Sequence, residues 1–537
     1  MAKARIYQDK QSLEKVISGI KKNAEVVAKT YGYTGREICI RYNDMNFITN
    51  DGVTVSNNIF FEDELEDLGS SFIRNITRNS DLSSSDGTTA SAILSKSMID
   101  YLSKYLFNKK TINNWLNVKD GMFDAYNAVV NIVEANKKKI KFNKKNIYSI
   151  AYTSTRDKEL SEVLAQVFVK IGKQGKVLYK EAEGKSLDVE YKSGFNIDYG
   201  YSTTMLPNIF TNPKVMIFDE RLNSVEIIKL VLNVAIEKQI TDIVFFVKEG
   251  MADLVMQQLV KIVQSPNINL NIGVVNITGS KEATERIIED LSIITNATIL
   301  NNGTISNFKS DNLGEARNIN IGLKQTTIVD GKIDTEKFAK HLKELETKYK
   351  NNRSDGDKTQ LEKRIANLKG QVAIINVGGF SRERIENYKD KIKDAVGSIN
   401  NALENGVVIG GGVALLDVYR LTKLNSEFNE EIVNKGKEYQ IGYNAVIQSL
   451  KSPFEQILEN SYATDIINRK NSYEVYSMQG FNMGFNAITR QLSENLFKEG
   501  IIDPYNTVIN SLRNALDICS LFANLDGFII VNSEVLE

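Results

Sequence analysis

Asp86-Gly87-Thr88-Thr89 sets a carboxylate, a glycine and two hydroxyls at the head of an amphipathic run that ends near Leu106. At a helix start the first N–H groups have no partner within the helix and the dipole favours negative charge, which suits phosphate oxygens. A carboxylate there can hold the accompanying Mg²⁺. Asp and Thr also cap helices that bind nothing, so this segment gains meaning from four others. Thr30-Tyr31-Gly32-Tyr33-Thr34-Gly35-Arg36 is a glycine-rich turn after a helix, and Asn50-Asp51-Gly52-Val53-Thr54-Val55 puts a carboxylate in a tight turn. Gly406–Leu415 contains the triglycine Gly410-Gly411-Gly412, which lets a ligand approach the backbone closely. Asn486-Ala487 and Asp503-Pro504 offer polar groups suited to a base edge and ribose hydroxyls. Together these are the parts of an ATP site. No GxxxxGK[ST] and no kinase signature set occurs, so any such site is neither a P-loop nor a kinase cleft.

Composition narrows the remaining chemistry. Lys+Arg and Asp+Glu both number 67, which gives no basic footprint for nucleic acid. His341 is the only histidine, excluding His-based triads and multi-histidine metal sites. Cys39 and Cys519 stand far apart without a CxxC, against a disulfide scaffold or zinc site. No apolar run approaches membrane-spanning length, and Met1–Tyr7 is too polar for a signal peptide. The expectation is a soluble cytoplasmic protein working through carboxylates, hydroxyls and backbone amides, with no nucleic-acid or membrane partner.

Several elements must position these groups. Leu13, Val16, Ile17, Ile20, Ala24, Val27, Ala28 and Tyr31 share one helical face, with Ser12 as N-cap and Gly32 ending the helix in a left-handed turn. Residues 37–42 and 46–49 read as paired strands before the turn Asn50-Asp51-Gly52, and a helix from about Ala90 turns Ile93, Leu94, Met98, Ile99 and Leu102 inward. Between about 175 and 330, apolar runs such as 215–218, 242–247 and 272–277 alternate with helical patterns, predicting an α/β module inserted in a helical protein. Two charged helices joined at Asn351–Gly356 follow as a hairpin, and long helical patterns resume from Ile385.

The order of these segments, with Gly172–Val177, Thr326–Gly331 and Arg364–Leu368 between them, resembles the group I (GroEL-like) chaperonins nearly end to end. The resemblance implies a mixed α/β multidomain fold: a mainly helical equatorial domain (1–133 and 405–537), a small intermediate domain (134–192 and 373–404) and an inserted α/β apical domain (193–372). Gly194 and Gly370 fall near its hinges. It implies an ATP-hydrolysing folding chaperone using ATP, Mg²⁺ and K⁺. Asp86 matches the Mg²⁺ ligand, with Gly87, Thr88, Thr89 and Ala90 around the phosphates. Thr30, Tyr31, Gly32 and Tyr33 match the first phosphate loop, where the family places K⁺ at the position of Thr30. Asn50 flanks the phosphates, Gly411 lies against the nucleotide, and Asn486, Ala487, Ile488 and Asp503 match base and ribose contacts. Asp51 and Asp394 match two carboxylates implicated in hydrolysis, the second delivered by closure of the intermediate domain. The implied partners are further copies in two stacked seven-membered rings, a GroES-like cochaperonin and non-native client proteins.

The chain departs from that pattern in places that matter for charge. Tyr33 and Thr34 stand where the family has proline and lysine, Asn50 replaces a lysine, and Ala90 replaces a threonine. Tyr201, Met205, Leu206 and Leu232 match the apolar client groove, whereas Lys229 occupies a position where an apolar residue is usual. A divergent ring-forming holdase or scaffold with weakened ATPase is the alternative these departures leave open.

Overall fold

The computed structural model describes residues 3–42, 45–84, 87–106, 112, 114–173, 175–182, 187–265, 269–301, 308–352, 355–379, 382–424, 432–463 and 482–532. The chain divides into two compact units. One comprises Met1–Gln166, Glu183–Lys185 and Gly378–Glu537; the other comprises Val167–Ala182 and Ser186–Val377.

The first unit opens with β1 (Lys3–Tyr7) and α1 (Lys10–Ala28), whose Val16, Ile17, Ile20, Ala24 and Val27 form the buried stripe read from the sequence. The cap differs from expectation. Asp9 precedes the helix and its carboxylate accepts from the Ser12 N–H at 2.9 Å and the Ser12 hydroxyl at 2.7 Å, so Ser12 lies inside the first turn. An acceptor-only carboxylate satisfies both donors and outcompetes the hydroxyl as cap. The hairpin β2 (Ile38–Tyr42) and β3 (Met45–Thr49) follows as anticipated. The next turn continues into a short helix, α2 (Gly52–Asn57), because the Asp51 carboxylate accepts from the N–H groups of Val53 and Thr54. Then come α3 (Glu64–Ser84), α4 (Thr88–Leu106), α5 (Trp115–Asn136), α6 (Lys144–Thr155) and α7 (Lys158–Ile171), the last crossing the boundary between units.

The second unit is a ten-stranded sheet with helices on both faces. Its elements are β4 (Lys176–Glu181), β5 (Leu187–Ile197), β6 (Ile209–Thr211), β7 (Lys214–Phe218), α8 (Val225–Glu237), β8 (Asp242–Lys248), α9 (Asp253–Val263), β9 (Asn271–Ile277), α10 (Lys281–Thr295), β10 (Ile299–Leu300), β11 (Gly314–Ile321), β12 (Thr326–Gly331), α11 (Thr335–Asn351), α12 (Asp355–Leu368) and β13 (Gln371–Val377). The main path runs β4-β13-β5-β12-β11-β7-β8-β9. Alternate residues serve two cores: Val215, Ile217, Val244 and Phe246 pack with α10, α11 and α12, while Met216, Phe218, Ile243, Phe245 and Val247 pack with α8 and α9. Burial on both faces is why these strands read as continuous apolar runs rather than alternating ones. Gly194 and Gly370 meet within this unit, the Gly194 N–H donating to the Gly370 carbonyl at 3.2 Å.

Returning to the first unit, the chain forms α13 (Arg382–Asn405), β14 (Val407–Ile409), α14 (Val413–Leu424), α15 (Lys437–Ser449), α16 (Ser452–Asn460), β15 (Gly484–Asn486), β16 (Gln491–Ser493), β17 (Ile502–Pro504), α17 (Tyr505–Phe522) and β18 (Phe528–Asn532). β18 pairs with β1, joining the two ends of the chain. α4 is the central helix: Leu94, Met98, Ile99 and Leu102 are fully buried and it packs on α1, α3, α15 and α17. A helix so enclosed holds its N-terminus in a fixed place, and that end faces a cavity.

Candidate functional site

The cavity holds about 410 Å³, within the range of small-ligand sites. One end is the start of α4. Gly87, Thr88, Thr89 and Ala90 line it, and their first-turn N–H groups have no acceptor within their own helix. Gly87 has φ +91°, and a Cβ there would sit 2.4 Å from the Ser511 hydroxyl oxygen, so both conformation and crowding require glycine. Beside it, Thr507 lines the cavity, while its hydroxyl is closed off from solvent and has no hydrogen-bond partner among the described residues. Asp86 lies outside the described residues.

The first loop forms the adjoining wall through Tyr31, Gly32 and Tyr33. Gly32 takes φ +75° as anticipated. Thr30 is buried just behind, its hydroxyl donating to the Val27 carbonyl at 2.9 Å and lying 3.5 Å from the Thr89 hydroxyl. The Asp51 turn abuts the same end: a Cβ on Gly52 would fall 2.5 Å from the Thr89 hydroxyl oxygen and 3.1 Å from that of Thr88. Asn50 and Asp51 are not themselves in the cavity wall.

Strand pairing assembles the opposite wall from distant sequence. β14 runs antiparallel to β17 with Val408 opposite Asp503, and the Gly410 N–H donates to the Ile501 carbonyl at 3.0 Å. That register carries Gly411 and Asp503 to one wall, joined by Phe485, Ala487 and Ile488. Asn486 does not reach it. Its amide donates to Glu499 at 2.6 Å, and its carbonyl oxygen accepts from the N–H groups of Ile488 (2.9 Å) and Thr489 (3.2 Å), so its side chain shapes the turn rather than presenting an edge to the cavity. Glu499 stands in the wall instead.

α13 closes over this region, packing against α3, β3 and α6 and contributing Ser398 to the wall. Asp390, Asp394 and Ser398 follow one another at four-residue intervals and therefore share a stripe of the helix. Burial pushes the Asp390 carboxyl up to about 6, and the negative charge of Asp51 adds to the rise. The stripe thus runs from Asp390, which feels the charge of Asp51, to Ser398 in the cavity wall. Asp394 is half-buried between those points.

Sequence reasoning did not single out Arg156. It follows α6 with φ +56° and donates to the Thr30 carbonyl at 3.0 Å and the Gly35 carbonyl at 3.4 Å, gripping the first loop at both ends. Tyr152, one turn earlier, adds a hydroxyl contact to Tyr33 at 3.0 Å and stacks on Tyr148. Burial and the Tyr33 hydroxyl push the Tyr152 phenol well above its ordinary range. Arg156 is the one Lys or Arg among the described residues of the wall, where Glu499 and Asp503 also stand. The signal for it was a cation just past a helix end, one of many such in the sequence.

The proposed groove residues lie in the second unit and differ in exposure. Met205 is 66% exposed, Tyr201 and Leu232 are half-buried, and Leu206 is 7% exposed and belongs to the buried core that includes Met216, Phe218, Ile228 and Val274. Leu206 is thus a core residue here, because the turn carrying Met205 outward points the next side chain inward. His341, the lone histidine, is buried against Asp290 at 2.8 Å, and Arg364 binds the same carboxylate at 2.7 Å. No helix among the described residues is long and apolar enough to cross a membrane.

Residues 24–532 match the model of the TCP-1/cpn60 chaperonin family. The fold is similar to that of the chaperonin gp146 from the bacteriophage EL 2 (Pseudomonas aeruginosa), crystallised in the presence of ATP-BeFx. The match to one crystal form has a TM-score of 0.71 at 17% identity, covering 98% of this chain and 99% of that one. A second form gives 0.64 with the same identity and coverage.

Proposed function

We propose, from the premise that this chain belongs to the TCP-1/cpn60 chaperonin family, that it is an ATP-hydrolysing chaperone of the group I kind, a cytoplasmic ring protein that captures non-native clients and releases them by a nucleotide-driven cycle. The observation that carries the nucleotide part is the cavity itself: a helix N-terminus and two positive-φ glycine turns converge there. These residues fit a nucleoside triphosphate. Backbone N–H groups of Thr88, Thr89 and Ala90 would donate to phosphate oxygens, Gly411 and Asp503 would flank the ribose, and Ala487 and Ile488 would face the base. Asp86 is the proposed Mg²⁺ ligand, and bound Mg²⁺ would offset phosphate charge. Asp51 and Asp394 would orient the attacking water and take up its proton. The domain assignment proposed is equatorial for 1–133 and 405–537, intermediate for 134–192 and 373–404, and apical for 193–372.

At Thr30 a positive charge is already in place: the carbonyl accepts from the Arg156 guanidinium, whose charge opposes a second monovalent cation there, so no step is assigned to K⁺. Client binding is proposed for the exposed apolar side chains of the second unit, Met205 with Tyr201 and Leu232, and a GroES-like lid would compete for them. Steady-state ATPase measured beside refolding of an aggregation-prone client, with and without a GroES-like protein, tests the whole reading. ATP-dependent recovery of the client is the outcome it requires; client holding that is indifferent to ATP would replace it with a passive holdase.

A further inference from the structure

We infer that Arg156 is a built-in cation of the phosphate site, taking the place that a diffusible monovalent cation would occupy, so that nucleotide binding by this protein does not depend on K⁺. The inference rests on the nucleotide reading proposed above and adds to it which group supplies the monovalent charge. Three observations place the guanidinium. Its Nη2 lies 3.0 Å from the Thr30 carbonyl oxygen, and the hydroxyl of that same threonine lies 3.5 Å from the Thr89 hydroxyl in the first turn of α4. One residue therefore separates the guanidinium from the helix start. Its Nη1 lies 3.4 Å from the Gly35 carbonyl, so it bridges the two ends of the loop whose middle, Tyr31–Tyr33, is cavity wall. It is also the one Lys or Arg among the described wall residues, while the loop and the Asp51 turn contribute Thr34 and Asn50 where a lysine would add charge.

A carbonyl oxygen has two lone pairs, but when one of them accepts from a guanidinium the positive charge of that donor opposes a second monovalent cation at the other. In this chain the donor is covalently attached. The left-handed conformation of Arg156 is unfavourable in a residue with a Cβ, and its two loop bonds, with the Tyr33–Tyr152 hydroxyl contact beside them, hold that conformation in place. A fixed guanidinium costs no ion-binding entropy when the nucleotide arrives, and it remains when K⁺ is absent. It also links α6 to the phosphate loop, so a charge bound at the loop is felt by the helix.

The test is calorimetric titration of MgATP and MgADP into the intact oligomer in KCl, NaCl and choline chloride at equal ionic strength. Wild-type affinity should agree within about twofold across the three salts. Arg156→Gln should lose at least about tenfold in choline chloride, with part of the loss recovered in KCl, and Arg156→Lys should keep most of the affinity. Thermal unfolding of each variant without nucleotide separates lost charge from a loosened loop. If wild-type affinity collapses when choline replaces K⁺, or if Arg156→Gln binds as the wild type does in choline, Arg156 is not the site's cation and the nucleotide reading stands without it. If the wild type binds no nucleotide in any salt, the nucleotide reading itself is lost, and this inference with it.

Discussion

Asp390 cannot carry its negative charge cheaply, because the fold half-buries it and the charge of Asp51 adds to the cost. The ordinary carboxyl value of 3.8 is raised to about 6. The sign follows from proton binding. Between those values the folded state keeps a proton that the unfolded chain has released, so the stability gained is complete below the lower value and declines as pH rises through the upper one. Above about pH 6 the docked α13 therefore carries a charged carboxylate that is partly buried and beside Asp51, a cost that Lys393 and Lys389 only partly offset. After discounting for the part of the side chain that water still screens, this amounts to about 1 kcal/mol. Asp390→Asn should raise the melting temperature at pH 7 and flatten its decline between pH 4 and 6, read by calorimetry across that range. An unchanged slope would show that Asp390 is not the titrating group. The same residue scale shows where side-chain type misleads. Asn486 has the donor and acceptor for a base edge, yet Glu499 takes its amide N–H and its own turn takes its carbonyl oxygen. Leu206 and Met205 are equally apolar in the sequence, and only the backbone decides which one faces out.

At the scale of elements, periodicity carried far. The buried stripe of α1, the β2–β3 hairpin, the start of α4 and the inserted α/β unit were all legible because each is set by local spacing or by burial on both faces of a sheet. What stayed hidden was produced by distant pairing. Arg156 binds a loop more than a hundred residues earlier in the chain, and Asp503 reaches Gly411 through one strand register. α13 is the element where function should divide. Asp394 lies on the stripe between Asp390 and Ser398 but outside the cavity wall, so Asp394→Ala should leave MgATP affinity near wild type while slowing hydrolysis at least about tenfold, or about 1.4 kcal/mol in barrier. Equal loss of binding and turnover would place Asp394 in the resting pocket instead. In the second unit, Leu206→Ala should destabilise by about 2–4 kcal/mol because it empties a packed core. Met205→Ser should leave unfolding unchanged and weaken capture of a denatured client. Denaturant unfolding and client titration on the same two variants separate core from groove.

At the scale of the whole molecule, the first unit exposes apolar surface on two small sheets. β1 and β18 form a two-stranded sheet in which Ile6 stands opposite Ile529 and Ala4 opposite Val531, so these side chains share one face. Ile6 and Ile529 are 65% exposed and Val531 is 58% exposed, and on the β2–β3 hairpin Ile48 is 47% exposed. A two-stranded sheet is marginal alone, and unpaired edges carrying apolar residues invite another chain. A ring answers both demands, since a head-to-tail contact repeated around a closed rotation leaves no copy with an open edge. Seven members per ring and two stacked rings are the arrangement proposed here. Mass photometry at micromolar protein with MgATP should show closed rings, and their mass divided by that of one chain gives the number of members. Ile529→Lys with Val531→Lys sets two charges on the shared face without touching the α4 cavity. The double variant should shift the population toward single chains while each chain still melts cooperatively and binds MgATP. Rings that persist unchanged in this variant would place the subunit contact on another surface, and a wild-type protein that stays monomeric with MgATP would overturn the ring itself.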